Sequence, residues 1–234
     1  MNWTDTPVMG LDFETTGNSA CTTRPVQIGF AIFDPSSNSF SNELNVIVQT
    51  GVKSHWAARK VHGINSARML KEGVPVKEAF ESFIETITKY SDYPIMMYNA
   101  PFDFTILNQE CKRHGLQLPK LSVLDPLVWA QKFCDQICES PHTQKKPHGL
   151  PAVAKRFGIP HENAHDALAD VRTTAKVALS ITQANPTLGT ASIKELQTLQ
   201  KEWIRGSWPV RLCDQSSPIN NEKKVSKSGT AYPN

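Results

Sequence analysis

Nothing in this sequence approaches the roughly 18 consecutive apolar residues of a membrane-spanning helix. Its first residues, MNWTDTPVMGLDFETTG, lack the basic start and apolar run of a secretory signal. No membrane association is expected, and a cytoplasmic setting is. Cysteine is scarce: five residues, an odd number without regular spacing. That excludes a disulfide framework and makes reduced thiols the expectation. Charge of one sign does not dominate. A net charge of +3 permits a nucleic-acid partner without demanding one. No internal repeat and no second domain can be found. What is present, 39% hydrophobic and 20% charged residues over 234 positions, suits one soluble domain with length left for a tail.

Val8 to Phe13 and Val26 to Phe33 are short apolar runs bounded by Gly, Pro, Asp and Ser, and read as strands. A third strand is expected around Glu43 to Val48, after the turn-rich Asp34-Pro-Ser-Ser-Asn-Ser. Short links between the three imply an antiparallel meander. After Gly73 the period changes: Val76, Ala79, Phe80, Phe83, Ile84 and Ile87 recur at helical spacing. Ile95 to Tyr98 reads as a brief strand, followed by a helix over Asp103 to Arg113. Val123 to Asp125 leads into a helix near Leu127 to Cys138, and Pro151 to Phe157 and Ala167 to Ile181 complete the helical set. Strands first, then alternation, predict an α/β fold with a mixed sheet flanked by helices. An amphipathic stretch from Ser192 to Ile204 suggests one more helix. The domain reading is a core over residues 1–182, a helical extension over 183–213 and a polar, disordered tail over 214–234.

Three acidic sites lie at the edges of these elements. Asp12 and Glu14, in Asp12-Phe13-Glu14-Thr15-Thr16-Gly17, fall on one face of the first strand. Two acids so placed repel unless something positive lies between them. They could equally be a solvated strand end. Asp103, in Asn99-Ala-Pro-Phe-Asp103, opens a helix and could be a cap. Asp166 and Asp170 share a helical face behind His165, whose direction the helical period does not fix. Taken together, Asp12, Glu14, Asp103 and Asp170 are oxygen donors suited to hard cations such as Mg²⁺ or Mn²⁺. A pair of such ions is the usual device for in-line attack on a phosphodiester.

With these residues in view, the sequence resembles the DEDD superfamily of 3′→5′ exonucleases in its DEDDh, DnaQ-like branch, from about residue 7 to 180. The likeness takes in Asp-x-Glu-Thr-Thr-Gly, Asn-Ala-x-Phe-Asp and a His five residues before Asp. It extends to Val61-His62-Gly63-Ile64 and to Leu124-Asp125 before a helix. It implies an RNase H-like fold, a mixed five-stranded sheet with helices on both faces. It implies two divalent cations, Mg²⁺ or Mn²⁺. Asp12, Glu14 and Asp170 would hold the first, Asp12 would bridge to the second, and Asp103 would reach that second ion. His165 would be the general base, its ordinary pKa near 6.5 fitting the task. Thr15, Thr16, His62, Asn99 and Phe102 would hold the terminal nucleotide. Asp166 has no role in the pattern and is assigned to first-turn electrostatics. The implied partners are single-stranded or frayed 3′ ends of DNA, with RNA ends as the alternative, and a DNA polymerase subunit. A non-catalytic binding module is disfavoured, because binding alone does not need four converging carboxylates.

Some segments fall outside the pattern. Cys134, Cys138, His142 and His148 invite a zinc reading, but match no known zinc spacing. Ser140 to His161 has no acidic residue and carries Lys145, Lys146, Lys155 and Arg156, a phosphate-contacting edge by composition. Gln117-Leu118-Pro119 faintly resembles a sliding-clamp peptide, but Leu118 reads as core.

Overall fold

A computed structural model describes residues 2–134 and 147–204. The three leading apolar runs form β1 (Val8–Thr15), β2 (Pro25–Asp34) and β3 (Ser39–Gln49), paired antiparallel as the expected meander. Two parallel two-residue strands, β5 (Ile95–Met96) and β6 (Val123–Leu124), extend the β1 edge. That makes the five strands the resemblance implies, with β6 in the stretch read only as the lead into a helix. A further short strand, β4 (Val74–Pro75), pairs with β3 and makes the sheet six-stranded, in the order β4-β3-β2-β1-β5-β6.

The helices are α1 (Trp56–His62), α2 (Ser66–Glu72), α3 (Val76–Lys89), α4 (Ala100–His114), α5 (Pro126–Phe133), α6 (Leu150–Arg156), α7 (Ala167–Ala184), α8 (Pro186–Thr190) and α9 (Ile193–Trp203). None of the described helices is long and apolar enough to cross a membrane.

The pleat of β1 sorts its side chains to two layers. Met9, Leu11 and Phe13 join the aromatics of α3 in one core, with Phe13 stacked 5.9 Å from Phe80 and edge-on to Phe83. On the alternate positions Gly10 lies against Val171 of α7, and Asp12 and Glu14 continue that face. Burial of both faces explains why β1 and β2 read as near-continuous apolar runs. A second core gathers Val8, Met96, Leu124, Trp129, Val153, Val177 and Ile181.

The extension packs into that second core. Leu188 and Leu196 are buried there. Gln200, 2% exposed, accepts hydrogen bonds from the Asp125 amide at 2.7 Å and the Trp129 indole at 2.9 Å, and donates to the Val123 carbonyl. The start of α9 is fastened by a capping box between Ser192 and Glu195. Residues 205–234, which include the end of the expected extension and the whole of the expected tail over 214–234, lie outside the described residues, as do Cys138, His142, Lys145 and Lys146.

One expectation needs correction, and one segment the sequence left unassigned takes shape. Cys21 is disulfide-bonded rather than reduced, whereas Cys111 is a free, buried thiol. Residues 56–72, which carry no helical apolar pattern, form α1 and α2. Both are fixed by their ends: His55 and Asn65 cap the starts through their side chains, and Gly63 closes α1 in the left-handed region at φ 72°.

Candidate active site

The four acids named from the sequence arrive on three elements and meet at one end of β1. Asp12 and Glu14 lie on the α7-facing side of the strand, where a register shift between Glu14 and Thr15 bends its end. Asp103 stands in the first turn of α4, 3% exposed, and its Oδ1 accepts the Phe13 amide at 3.1 Å. That bond fixes it to the backbone between the two β1 acids. Asp170 stands in the first turn of α7, 9% exposed.

Two glycines let α7 come this close. Gly29 pairs with Asp12 across the sheet, and a Cβ on it would meet the Ala167 carbonyl carbon at 2.2 Å. A Cβ on Gly10 would meet the Val171 side chain at 2.5 Å. The Gly29 obstacle is backbone and cannot swing aside. Gly29→Ala is therefore expected to push the start of α7 away from β1. The expected cost is about 1–3 kcal/mol of stability, typical of overpacking. Asp170 moves away from Asp12 in the same step. Thermal unfolding and a cation titration of the variant check both parts.

The first turn of α7 is further tied down by Asp166. Its carboxylate caps the helix through the Ala169 amide and also accepts from Gln27 and Asn45 on β2 and β3. Burial raises its pKa, but the hydrogen bonds from Asn45 and Gln27 outweigh that and hold it below the ordinary carboxylate range. The dipole role expected of Asp166 is thus joined by a clamp between helix and sheet. The Asp103 turn has its own anchor. Asn99 sits in the left-handed region at φ 68°, and Asp125 accepts the Asn99 and Ala100 amides at 2.9 and 3.0 Å.

The electrostatics record the convergence. Burial first, then the neighbouring charges of Asp103, Asp170 and Glu14, raise the Asp12 carboxyl well above its ordinary value. Burial, then Asp170 and Asp103, push Glu14 up to about 8. Asp103 is raised chiefly by burial, against the lowering effect of the Phe13 amide. Acids so perturbed at one place have a net need for positive charge.

Potential ligand atoms of Glu14, His165 and Asp170 all lie within 4.8 Å of one another. His165 is exposed and holds φ 67°, an uncommon state for a residue with a side chain. Its neighbour in the same loop, His161, was not singled out from the sequence. Its Nε2 lies 2.6 Å from Asp170 Oδ1. Nothing in spacing marks it, because residues 161–166 form a turn rather than a helix.

Beside the acids opens a cavity of about 600 Å³ lined by Glu14, Thr15, Thr16, His62 and the start of α1. Of the expected substrate residues, Thr15, Thr16 and His62 form this wall, while Asn99 and Phe102 stand with Asp103 at the opening of α4. The wall is rigid. The Thr16 hydroxyl bonds Thr23 and accepts the Arg24 amide, and the Thr16 carbonyl accepts the His55 amide. Arg24 in turn grips the fully buried Glu110 of α4 with two nitrogens. His62 Nδ1 accepts the Ile64 amide at 3.0 Å, which assigns the proton to Nε2 and makes that nitrogen donate to the Thr15 carbonyl at 3.1 Å. Burial lowers the His62 pKa and keeps the ring neutral. Both ring nitrogens are thus spent on shaping the wall.

Comparisons with known proteins bear on this arrangement. The DNA polymerase III PolC-type protein of Streptococcus sanguinis (strain SK36) is 25% identical over 240 residues, covering 99% of this chain but only 15% of that polymerase. The PolC-type polymerase of Thermotoga maritima is 23% identical, over 84% of this chain and 13% of its own length. Among solved structures, E. coli exonuclease I in complex with a dT13 oligonucleotide superimposes with a TM-score of 0.67 at 20% identity, over 78% of this chain and 42% of that one. Cell-death related nuclease 4 (CRN-4) gives 0.65 at 14% identity, over 79% and 67%. These likenesses establish the RNase H-like exonuclease fold. A family model for exonucleases, RNase_T, matches residues 9–178. With its motifs assembled at one end of β1, the chain belongs to this exonuclease family, in the DnaQ-like group.

Proposed function

We propose that the chain is a divalent-cation-dependent 3′→5′ exonuclease that hydrolyses the terminal phosphodiester of DNA and releases 5′-mononucleotides. The observation that carries the reading is the meeting of Asp12, Glu14, Asp103 and Asp170 beside a rigid cavity of nucleotide dimensions. The donor set fits hard cations: carboxylate oxygens with one imidazole in reach and no thiol among them. In this reading Asp12, Glu14 and Asp170 hold one Mg²⁺ or Mn²⁺, and Asp12 and Asp103 a second. Ions bound there supply Lewis-acid charge and a water of lowered pKa.

The chain's own groups do the rest. His165, at the mouth of the site, takes the proton of the attacking water, and its exposure lets the proton leave to solvent. Thr15, Thr16 and His62 present a fixed wall to the terminal nucleotide, and Asn99 and Phe102, at the opening of α4 beside Asp103, are proposed to complete its binding. The 3′→5′ direction rests on the motif resemblance. The choice of DNA is supported by the likeness to exonuclease I bound to an oligonucleotide. A polymerase subunit is the proposed protein partner on the likeness to PolC-type polymerases alone.

The test is digestion of end-labelled single-stranded DNA, paired and mispaired duplexes, and RNA, each with Mg²⁺, with Mn²⁺ and with EDTA. Shortening from the 3′ end is expected, fastest on single-stranded and mispaired ends and absent with EDTA. Internal cuts in a circular single strand, or early loss of a 5′ label, would defeat the proposal. RNA ends consumed faster than matched DNA ends would move the assignment to RNA trimming.

A further inference from the structure

Two histidines share the loop before α7, and the structure gives them different partners. His165 is exposed, and its ring nitrogen lies within 4.8 Å of oxygens of both Glu14 and Asp170. His161 is turned inward. Its side chain is 9% exposed, and its Nε2 lies 2.6 Å from Asp170 Oδ1. A carboxylate offers only acceptors, so the ring donates. The His165 backbone amide reaches the same oxygen at 3.4 Å. Both contacts fall on Oδ1 and leave the second oxygen of Asp170 for a cation.

The loop is built to hold this contact. Asn163 and His165 both take positive φ, at 54° and 67°, which folds the segment back on the start of α7. The Asp166 amide bonds the Asn163 carbonyl at 3.0 Å and closes the turn. Backbone states of this kind persist only where the surroundings enforce them. A carboxylate at the end of a short side chain can rotate about χ2, and a donor on one oxygen stops that rotation. Donors that fix a ligating group in this way commonly govern metal affinity by 10–100-fold.

We propose that His161 is a positioning residue: by donating to Oδ1 it sets the Asp170 carboxylate in the orientation that binds the cation, while His165 remains free for proton transfer. The inference rests on the cation-dependent reading of the site and deepens it. It divides labour between two histidines four residues apart and makes opposite demands on their variants. Loss of His161 weakens cation binding and spares turnover once cation is saturating. Loss of His165 slows turnover and spares cation binding.

The experiment is calorimetric titration of the full chain with Mn²⁺, alongside steady-state cleavage of single-stranded DNA at graded Mn²⁺. His161→Phe keeps ring bulk and removes the donor. His161→Gln keeps a donor nitrogen at comparable reach. The melting temperature of each variant in EDTA confirms folding. His161→Phe is expected to bind Mn²⁺ 10–100-fold more weakly. Its kcat at saturating Mn²⁺ and its KM for DNA should match those of the parent, and His161→Gln should recover most of the affinity. Normal affinity in His161→Phe with loss in His161→Gln would reassign the residue to packing. Tighter binding in His161→Phe would mean that the ring occupies the cation's place, and overturns the proposal. So would a kcat loss at saturating Mn²⁺ with affinity intact, which would assign His161 to proton transfer. Absence of Mn²⁺ binding by the parent chain defeats the cation reading itself and this inference with it.

Discussion

Asp12→Asn and Asp170→Asn are each expected to leave no measurable cleavage, whereas His165→Ala is expected to retain a rate reduced by roughly 10²–10⁴-fold. The asymmetry follows from where the groups stand. Asp12 feels Asp103, Asp170 and Glu14 together, so its charge stands where those of the other three converge. Asp170 closes the group from α7 and lies within 4.8 Å of Glu14 and His165 ligand atoms. Removing either charge takes away a donor that positions everything the chemistry needs. Asn keeps the volume of Asp, so the fold is not opened by a void. His165 is exposed at the mouth, and its loss costs only its share in proton transfer, which water can perform slowly. Initial rates on labelled single-stranded DNA at saturating Mn²⁺, with Mn²⁺ affinity measured in parallel, check the ordering. Near-normal turnover by His165→Ala would remove it from the role of base. Substantial turnover by Asp12→Asn would mean that the four acids do not act as one site.

The sequence made some of this legible and hid the rest for physical reasons. β1 and β2 stand out because both of their faces are buried, which leaves a continuous apolar signal. α3 stands out because Phe80, Phe83, Ile84 and Ile87 form one buried stripe. The acids stood out because each lies at the edge of an element: Asp12 and Glu14 at the end of β1, Asp103 and Asp170 in the first turns of α4 and α7. α1 and α2 were not, since Trp56, Val61 and Leu70 are exposed and no apolar period marks a core face. Of the two, α1 carries part of the cavity wall, so the pocket was only half visible. Gly10 and Gly29 look like ordinary strand residues until α7 is seen lying on them. Asp166 was read by its helix position, while its partners Gln27 and Asn45 are 139 and 121 residues away in the chain. β4 escaped because two residues, Val74 and Pro75, carry no period. Of the cysteines and histidines that suggested zinc, Cys134 is buried behind α5 and the His148 carbonyl accepts the Tyr98 hydroxyl, while Cys138 and His142 lie outside the described residues.

The crowding of acids also fixes how stability should depend on pH. Glu14 moves from an ordinary 4.5 to about 8 on folding, mainly by burial and then by Asp170 and Asp103. Asp12 and Asp103 are raised as well. Between their unfolded and folded values the native state holds more protons than the unfolded chain, so stability falls as pH rises. The stabilisation is complete below about pH 4 and is lost as pH climbs through 8. Asp125, raised to about 7, contributes with the same sign over its lower range. His62 acts oppositely, because its lowered pKa makes stability rise with pH up to its ordinary 6.5. The clean window is therefore from pH 6.5 to about 8, where the melting temperature in EDTA should decline steadily. Mn²⁺ favours the ionised acids and binds only where they converge, adding RT ln(1 + [L]/Kd), about 2.7 kcal/mol at a hundredfold excess over Kd. For a domain of this size that is a rise of roughly 5–10 °C, growing with pH because fewer protons must be displaced. Asp12→Asn removes the charge that the others press against. It should raise the melting temperature in EDTA, flatten the decline between pH 6.5 and 8, and shrink the Mn²⁺ gain. Thermal unfolding of both forms across that window, with EDTA and with millimolar Mn²⁺, supplies all three readings. A parent chain indifferent to Mn²⁺, or an Asp12→Asn variant melting below it in EDTA at pH 8, would show that repulsion among these acids does not govern the site.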